Sequence, residues 1–340
     1  MERKSYIDLL NIISCLFVVI LHANWYVQFY DKTDCWWLRV LFEVLCYGAV
    51  PIFFMISGAT LLGFKNKYST KIFYKKRILK TFIPYLFWGN LFFWFHYFYK
   101  SSQHGINQSF TETFWSYVHS LTTGFIPYTN YWFFIPLFLL YLFMPYLSEL
   151  TRLSNKALIS LWVGLFFFQS FLPTIDNICK LDISIIGGLP VGGFFCYMLL
   201  GYILSNNDIE NNNLIFFIVS VLALLSLIIR YLGIFIPESR NDSFFSYFGL
   251  YVIFPCIWLF IAAKKLMKNP LKWYSKLQTL ATYSFGIYLL HTFFRDILFN
   301  TIISRSDSFV VFKAAPIMLL GSMISIYLVR KLTIGKYLLP

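Results

Sequence analysis

His22 is the residue of this chain best suited to chemistry. It lies near the end of LLNIISCLFVVILHANW, Leu9 to Trp25, a run that is apolar almost throughout except for Asn11. An imidazole near neutral pH serves as general base or nucleophile. An ionisable group in such a run is costly unless it faces a polar interior. Asp8, Asn11 and His22 fall on one stripe of a helix with 3.6 residues per turn. Glu43 lies at matching depth in the next apolar run. Its carboxylate could accept from one imidazole nitrogen and raise the basicity of the other, or pair instead with Arg39 one turn away.

A second polar stripe runs through LATYSFGIYLLHTFFRDIL, where Ser284, Tyr288, His291 and Arg295 step along one helix face. His291, like His96, belongs to the outer half of its run. Taken alone, either histidine reads as a packing residue; two stripes converging at one depth point to a site. A third feature is YKKRILKTFIPYLFW, with Lys75, Lys76, Arg77 and Lys80 ahead of an apolar run. These residues anchor topology. Arg77 and Lys80, three apart, could also face one anionic ligand, and phosphate suits a guanidinium fork beside a point charge.

The elements that must position these groups are helices in lipid. The chain has 340 residues, 59% hydrophobic and only 13% charged, with a mean hydropathy of +0.65. Soluble domains are nearer 45–50% apolar and about 25% charged. The expected fold is therefore all-α, one integral-membrane domain over residues 1–340. Ten stretches could cross a bilayer: 7–27, 40–63, 79–99, 131–149, 157–173, 187–204, 213–235, 246–263, 277–298 and 309–329. The first run is too long for a signal-peptide core and lacks a small-residue cleavage site, so it is expected as a retained span. Basic residues concentrate in 65–80 and 264–276, which puts both termini in the cytoplasm by the positive-inside rule. The 101–130 segment has neither Lys nor Arg and is expected outside, with a short interfacial helix near 109–121.

The net charge of +13 reports orientation here, since the basic residues sit at the ends of apolar runs; nucleic acid is not expected as a partner. The six cysteines show neither C-x-x-C nor metal spacing. Cys35 and Cys179 could meet outside, but unpaired thiols are expected, and no metal.

In combination these pieces resemble acyltransferase family 3, the bacterial integral-membrane O-acyltransferases. YIDLLNIISCLFVVILH resembles the family's first span, which ends in its characteristic histidine. VPIFFMISGATLL (50–62) resembles the second span and KKRILKTFIPYLFW the basic approach to the third. YWFFIPLFLLYLFMPYL (131–147) resembles the fourth, and SFGIYLLH (284–291) the ninth. Five such segments in order, in a ten-span chain, cover nearly its whole length. Two departures stand out. The family usually has Arg eleven residues before the histidine, where this chain has Asn11, and its paired arginines before the third span correspond to Arg77 and Lys80.

The resemblance implies acetyl transfer from acetyl-CoA, a donor substrate and not a permanently bound cofactor, to a sugar hydroxyl of a surface polysaccharide or lipid-linked glycan. It implies a multi-pass protein of the bacterial inner membrane, in contact with membrane lipids. His22 would be general base or acyl carrier, with Glu43 beside it. Asn11, Lys76, Arg77 and Lys80 would hold the donor, and Trp132, Tyr288, His291 and Arg295 would line the acceptor side. A glycan transporter would also have ten spans, but no internal repeat of the transporter kind is visible. A polymerase would be expected to carry arginines in its large outer loop, and 101–130 has none.

Overall fold

The computed structural model describes residues 4–24, 27, 32, 34–104, 109–179, 193–237, 240–269, 274–304 and 307–340. Among these residues the fold is wholly helical. In chain order the α-helices are α1 (Ser5–Ala23), α2 (Trp36–Cys46), α3 (Ala49–Leu61), α4 (Thr70–Arg77), α5 (Ile83–His104), α6 (Phe110–Thr123), α7 (Phe134–Leu147) and α8 (Asn155–Phe166). They continue with α9 (Leu172–Cys179), α10 (Gly193–Asn206), α11 (Asn213–Phe235), α12 (Leu250–Leu266), α13 (Tyr274–Ala281), α14 (Ser284–Thr301), α15 (Val310–Arg330) and α16 (Gly335–Leu338).

Among the described residues, seven segments are long and apolar enough to cross a membrane: Ser5–Ala23, Trp36–Asn66, Tyr131–Arg152, Asn155–Asp176, Asn213–Phe235, Asp242–Leu266 and Val310–Arg330. Helices also occupy the other three expected stretches, at α5, α10 and α14. The described part of α10 is shorter, 14 residues, and residues 187–192 of that stretch lie outside the described set. Helices α5 and α14 are long enough but carry more polar residues; in α14 Ser284, His291, Thr292 and Arg295 are buried within the bundle.

Several boundaries differ from the sequence reading. The 40–63 stretch is two helices, α2 and α3, joined by a turn at Tyr47 and Gly48. The 277–298 stretch breaks at Thr282 and Tyr283, so that Ser284 opens a new helix. Pro51 and Pro136 fall in the first turns of their helices, where a missing N–H costs nothing, while Pro84 follows directly on the π-helical turn Ile78–Phe82. A short helix, α6, does occupy the stretch expected near 109–121, opened by a capping box in which Ser109 and Glu112 bond each other reciprocally. Those bonds hold the Glu112 carboxyl below the usual carboxylate range.

Helix α1 is the hub, packed against α2, α3, α12, α13, α14 and α15. It runs parallel to α14 in fixed register: Cys15 Sγ lies 3.6 Å from the Ser284 carbonyl oxygen, and His22 lies beside His291 at the same offset of 269 residues. Helices α3 and α10 approach through reciprocal glycines. A Cβ on Gly58 would sit 2.6 Å from the Met198 carbonyl carbon, and one on Gly201 would sit 2.5 Å from that of Met55. Between helices in lipid, where no hydrophobic force separates lipid from protein, small residues of this kind are what bring backbones together.

Candidate active site

Helices α4 and α5 are joined by a π-helical turn, Ile78–Phe82, that keeps the helix continuous while adding a residue to the turn. Arg77 and Lys80 flank and occupy this turn, and both line a cavity of about 400 Å³. Asn11 of α1 lines it too, as do Phe53, Ile56 and Ser57 of α3, Phe133, Leu137 and Tyr141, and Thr282, Ser284 and Tyr288 around the start of α14. A volume of this size lies within the usual range of small-molecule sites. Its walls are mostly aromatic and aliphatic, with a few polar groups at fixed places. The Arg77 guanidinium packs over Tyr141 (5.6 Å) and Phe73 (5.8 Å), and its Nε has no hydrogen-bond partner among the described residues.

Because α1 and α14 are parallel and in register, Tyr288 lies about two helical turns deeper than Asn11 toward His22. The Tyr288 hydroxyl donates to the backbone carbonyl of Asn130 at 2.7 Å. The Asn130 side-chain nitrogen in turn lies 2.9 Å from His22 Nδ1 and 3.1 Å from Nε2. Two more bonds dock the same stretch on α14: Tyr131 Oη to the Leu289 carbonyl (2.8 Å) and Thr292 Oγ1 to the Tyr128 carbonyl (2.8 Å). Tyr128 itself is in the left-handed region, φ 60°, unusual for a side chain of its size. Three hydrogen bonds thus hold a strained segment so that Asn130 reaches His22.

His22 and His291 face each other with ring centroids 5.1 Å apart and planes at 40°. His291 is 1% exposed, and its Nδ1 lies 2.9 Å from the carbonyl oxygens of both Ile287 and Tyr288. Arg295, one turn on, is held by Asp296 through Nε and Nη2, each at 2.7 Å.

The remaining expected site residues are placed elsewhere. Glu43 is buried beside Arg230 of α11, whose Nη1 donates to the Glu43 carbonyl at 3.3 Å and whose guanidinium stacks 3.8 Å over Tyr47. Among the described residues no hydrogen bond or ion pair joins Glu43 to His22 or to Arg39, and Arg39 Nη2 donates to the Asp307 carbonyl at 2.6 Å. The turn at Tyr47 and Gly48 aims this part of α2 at α11, away from α14. Lys76 lies 4.0 Å over the Tyr68 ring and does not line the cavity. Trp132 also stands off the cavity wall, packed on Tyr247 and Phe194 with centroids 5.6 and 6.2 Å away. Asp8, the first member of the polar stripe, accepts from the Tyr274 hydroxyl at 2.9 Å. The five described cysteines, Cys35 among them, are unpaired; the Cys179 side chain lies outside the described set.

Sequence reasoning missed Asn130. The 101–130 segment reads as an outer loop, yet Ile126 and Thr129 are buried. The one available signal was an amide directly before the YWFF run that opens the fourth span.

The family model described as an acyltransferase domain matches residues 4–329. No curated protein and no solved structure matches the chain.

Proposed function

Because this chain belongs to acyltransferase family 3 and is a multi-pass membrane acyltransferase, we propose that it transfers an acetyl group from acetyl-CoA to a sugar hydroxyl. The acceptor is a surface polysaccharide or lipid-linked glycan, and the setting is a bacterial inner membrane with both termini in the cytoplasm. One observation carries this reading: a single cavity joins Asn11, Arg77 and Lys80 to Tyr288, whose hydroxyl fixes the segment that holds His22. Asn11 and His22 are eleven residues apart on one helix, about 16 Å. An extended acyl-pantetheine arm is of comparable length.

In this reading Arg77 and Lys80 bind the donor's phosphates at the cavity mouth, and the apolar walls exclude water from the thioester arm. Asn11, which bears no charge, offers a hydrogen bond to the arm, leaving the anionic contacts to the two basic residues. The acyl carbon then comes up to His22, which serves as general base or takes the acyl group itself. Asn130 fixes the imidazole's orientation, as a positioned base requires.

The test is the O-acetyl content of surface and lipid-linked glycans in a deletion strain rescued with wild type or His22→Ala. Acetyl esters should vanish on deletion, return with wild type, and stay about 10²–10⁴-fold lower with His22→Ala. Normal esters with His22→Ala would refute the assignment. Unchanged esters with altered glycan export on deletion would favour transport.

A further inference from the structure

We infer that His291 is the proton acceptor of the transfer step, paired with His22 as the group that carries the acyl. This rests on the acyl-transfer reading above and goes beyond it by dividing the chemistry between two imidazoles. The geometry begins with the His291 ring nitrogens. Both atoms near Nδ1 are carbonyl oxygens, of Ile287 and Tyr288, and a carbonyl can only accept; Nδ1 therefore carries the hydrogen. In the neutral ring that leaves Nε2 as the lone-pair nitrogen, fixed by the backbone of its own helix.

His291 Nε2 is buried and has no hydrogen-bond partner among the described residues. An acceptor left unsatisfied inside a membrane bundle costs stability and calls for an explanation. The His22 ring, held by Asn130, has its centroid 5.1 Å from that of His291. The two imidazoles are thus unlike. One has a basic nitrogen locked in place and empty; the other has its orientation set by a side-chain amide. The parallel register of α1 and α14 keeps them level, and Tyr288 stands between this pair and the cavity, its ring centroid 5.9 Å from that of His291.

In the first half-reaction a His22 ring nitrogen attacks the thioester carbonyl carbon. The C–S bond breaks, and the sulfur leaves with the electron pair as CoA thiolate; the acyl-imidazole loses its remaining N–H proton. That proton goes to the thiolate, giving CoA–SH. In the second, the acceptor hydroxyl oxygen attacks the acyl-imidazole carbon while its proton passes to His291 Nε2. The C–N bond breaks, the electron pair returns to the His22 nitrogen, and His22 recovers its proton from His291. The net change is thioester plus alcohol to ester plus thiol, with both histidines restored. A hydroxyl needs this help because it is a poor nucleophile while protonated.

Hydroxylamine separates the two roles, since its nitrogen attacks an acyl carbon without a partner base. The full chain in membrane vesicles from its own cells is supplied with acetyl-CoA labelled in the acetyl group. Label is counted as base-labile ester in the vesicle glycans and, with hydroxylamine added, as acetohydroxamate. His291→Gln retains an amide N–H for the Ile287 and Tyr288 carbonyls but has no basic nitrogen. It should lower ester formation by about 10²–10⁴-fold and leave hydroxamate formation at the wild-type rate, which also reports that the variant is folded. His22→Ala should lose both products. Equal loss of both products in His291→Gln, or no loss of ester, overturns the role of His291. Retention of both in His22→Ala overturns instead the reading on which it rests.

Discussion

Replacing Asn130 by Ala removes the side chain that lies within 3.1 Å of both His22 ring nitrogens while leaving the Asn130 backbone, and so the bond from Tyr288, intact. One neutral hydrogen bond is worth about 0.5–1.5 kcal/mol net, which converts to roughly a 2- to 13-fold loss of rate at 1.36 kcal/mol per decade. If the freed ring also turns, its misplacement by about 1 Å brings the total loss to about 10²-fold. The expected fall in kcat is therefore between about 2- and 100-fold, smaller than that of His22→Ala. The half-saturating concentration of acetyl-CoA should not move, because Arg77, Lys80 and Asn11 are untouched. The assay is initial-rate label transfer from acetyl-CoA in vesicles at graded donor concentration. Turnover unchanged in Asn130→Ala, or a loss of donor affinity matching the loss of turnover, would refute the positioning role. So would a fall as complete as that of His22→Ala.

Two further outcomes follow from the cavity and its frame. Arg77→Ala and Lys80→Ala should each cost about 1.5–3 kcal/mol of donor binding, as lost hydrogen bonds to a charged group, and raise half-saturating acetyl-CoA roughly 10- to 150-fold. Lys76→Ala, its ammonium over Tyr68, should do much less in the same titration. Gly58→Ala meets the Met198 backbone, which cannot swing aside as a side chain would. It should cost about 1–3 kcal/mol by overpacking, read as a lower unfolding temperature in detergent. It should also reduce donor binding, because Phe53, Ile56 and Ser57 on the displaced helix line the cavity.

The sequence alone determined that this protein is helical, that lipid is its solvent, and that polar residues inside apolar runs need a common interior. Those conclusions rest on composition and on the 3.6-residue period, which are local properties. The period also placed Asn11 and His22 on one stripe and Tyr288 and His291 on another, since helix faces follow from spacing. Which stripes meet is a different matter. Matching depth made Glu43 as good a neighbour for His22 as His291 was, because depth says nothing about rotation around the bundle. Packing decided it: the turn at Tyr47 and Gly48 sends Glu43 to Arg230, and the parallel register of α1 with α14 brings the two histidines together. Asn130 was beyond reach for the same reason. A loop has no period from which a buried face can be read, and this one enters the core through three hydrogen bonds to a helix more than 150 residues later in the chain.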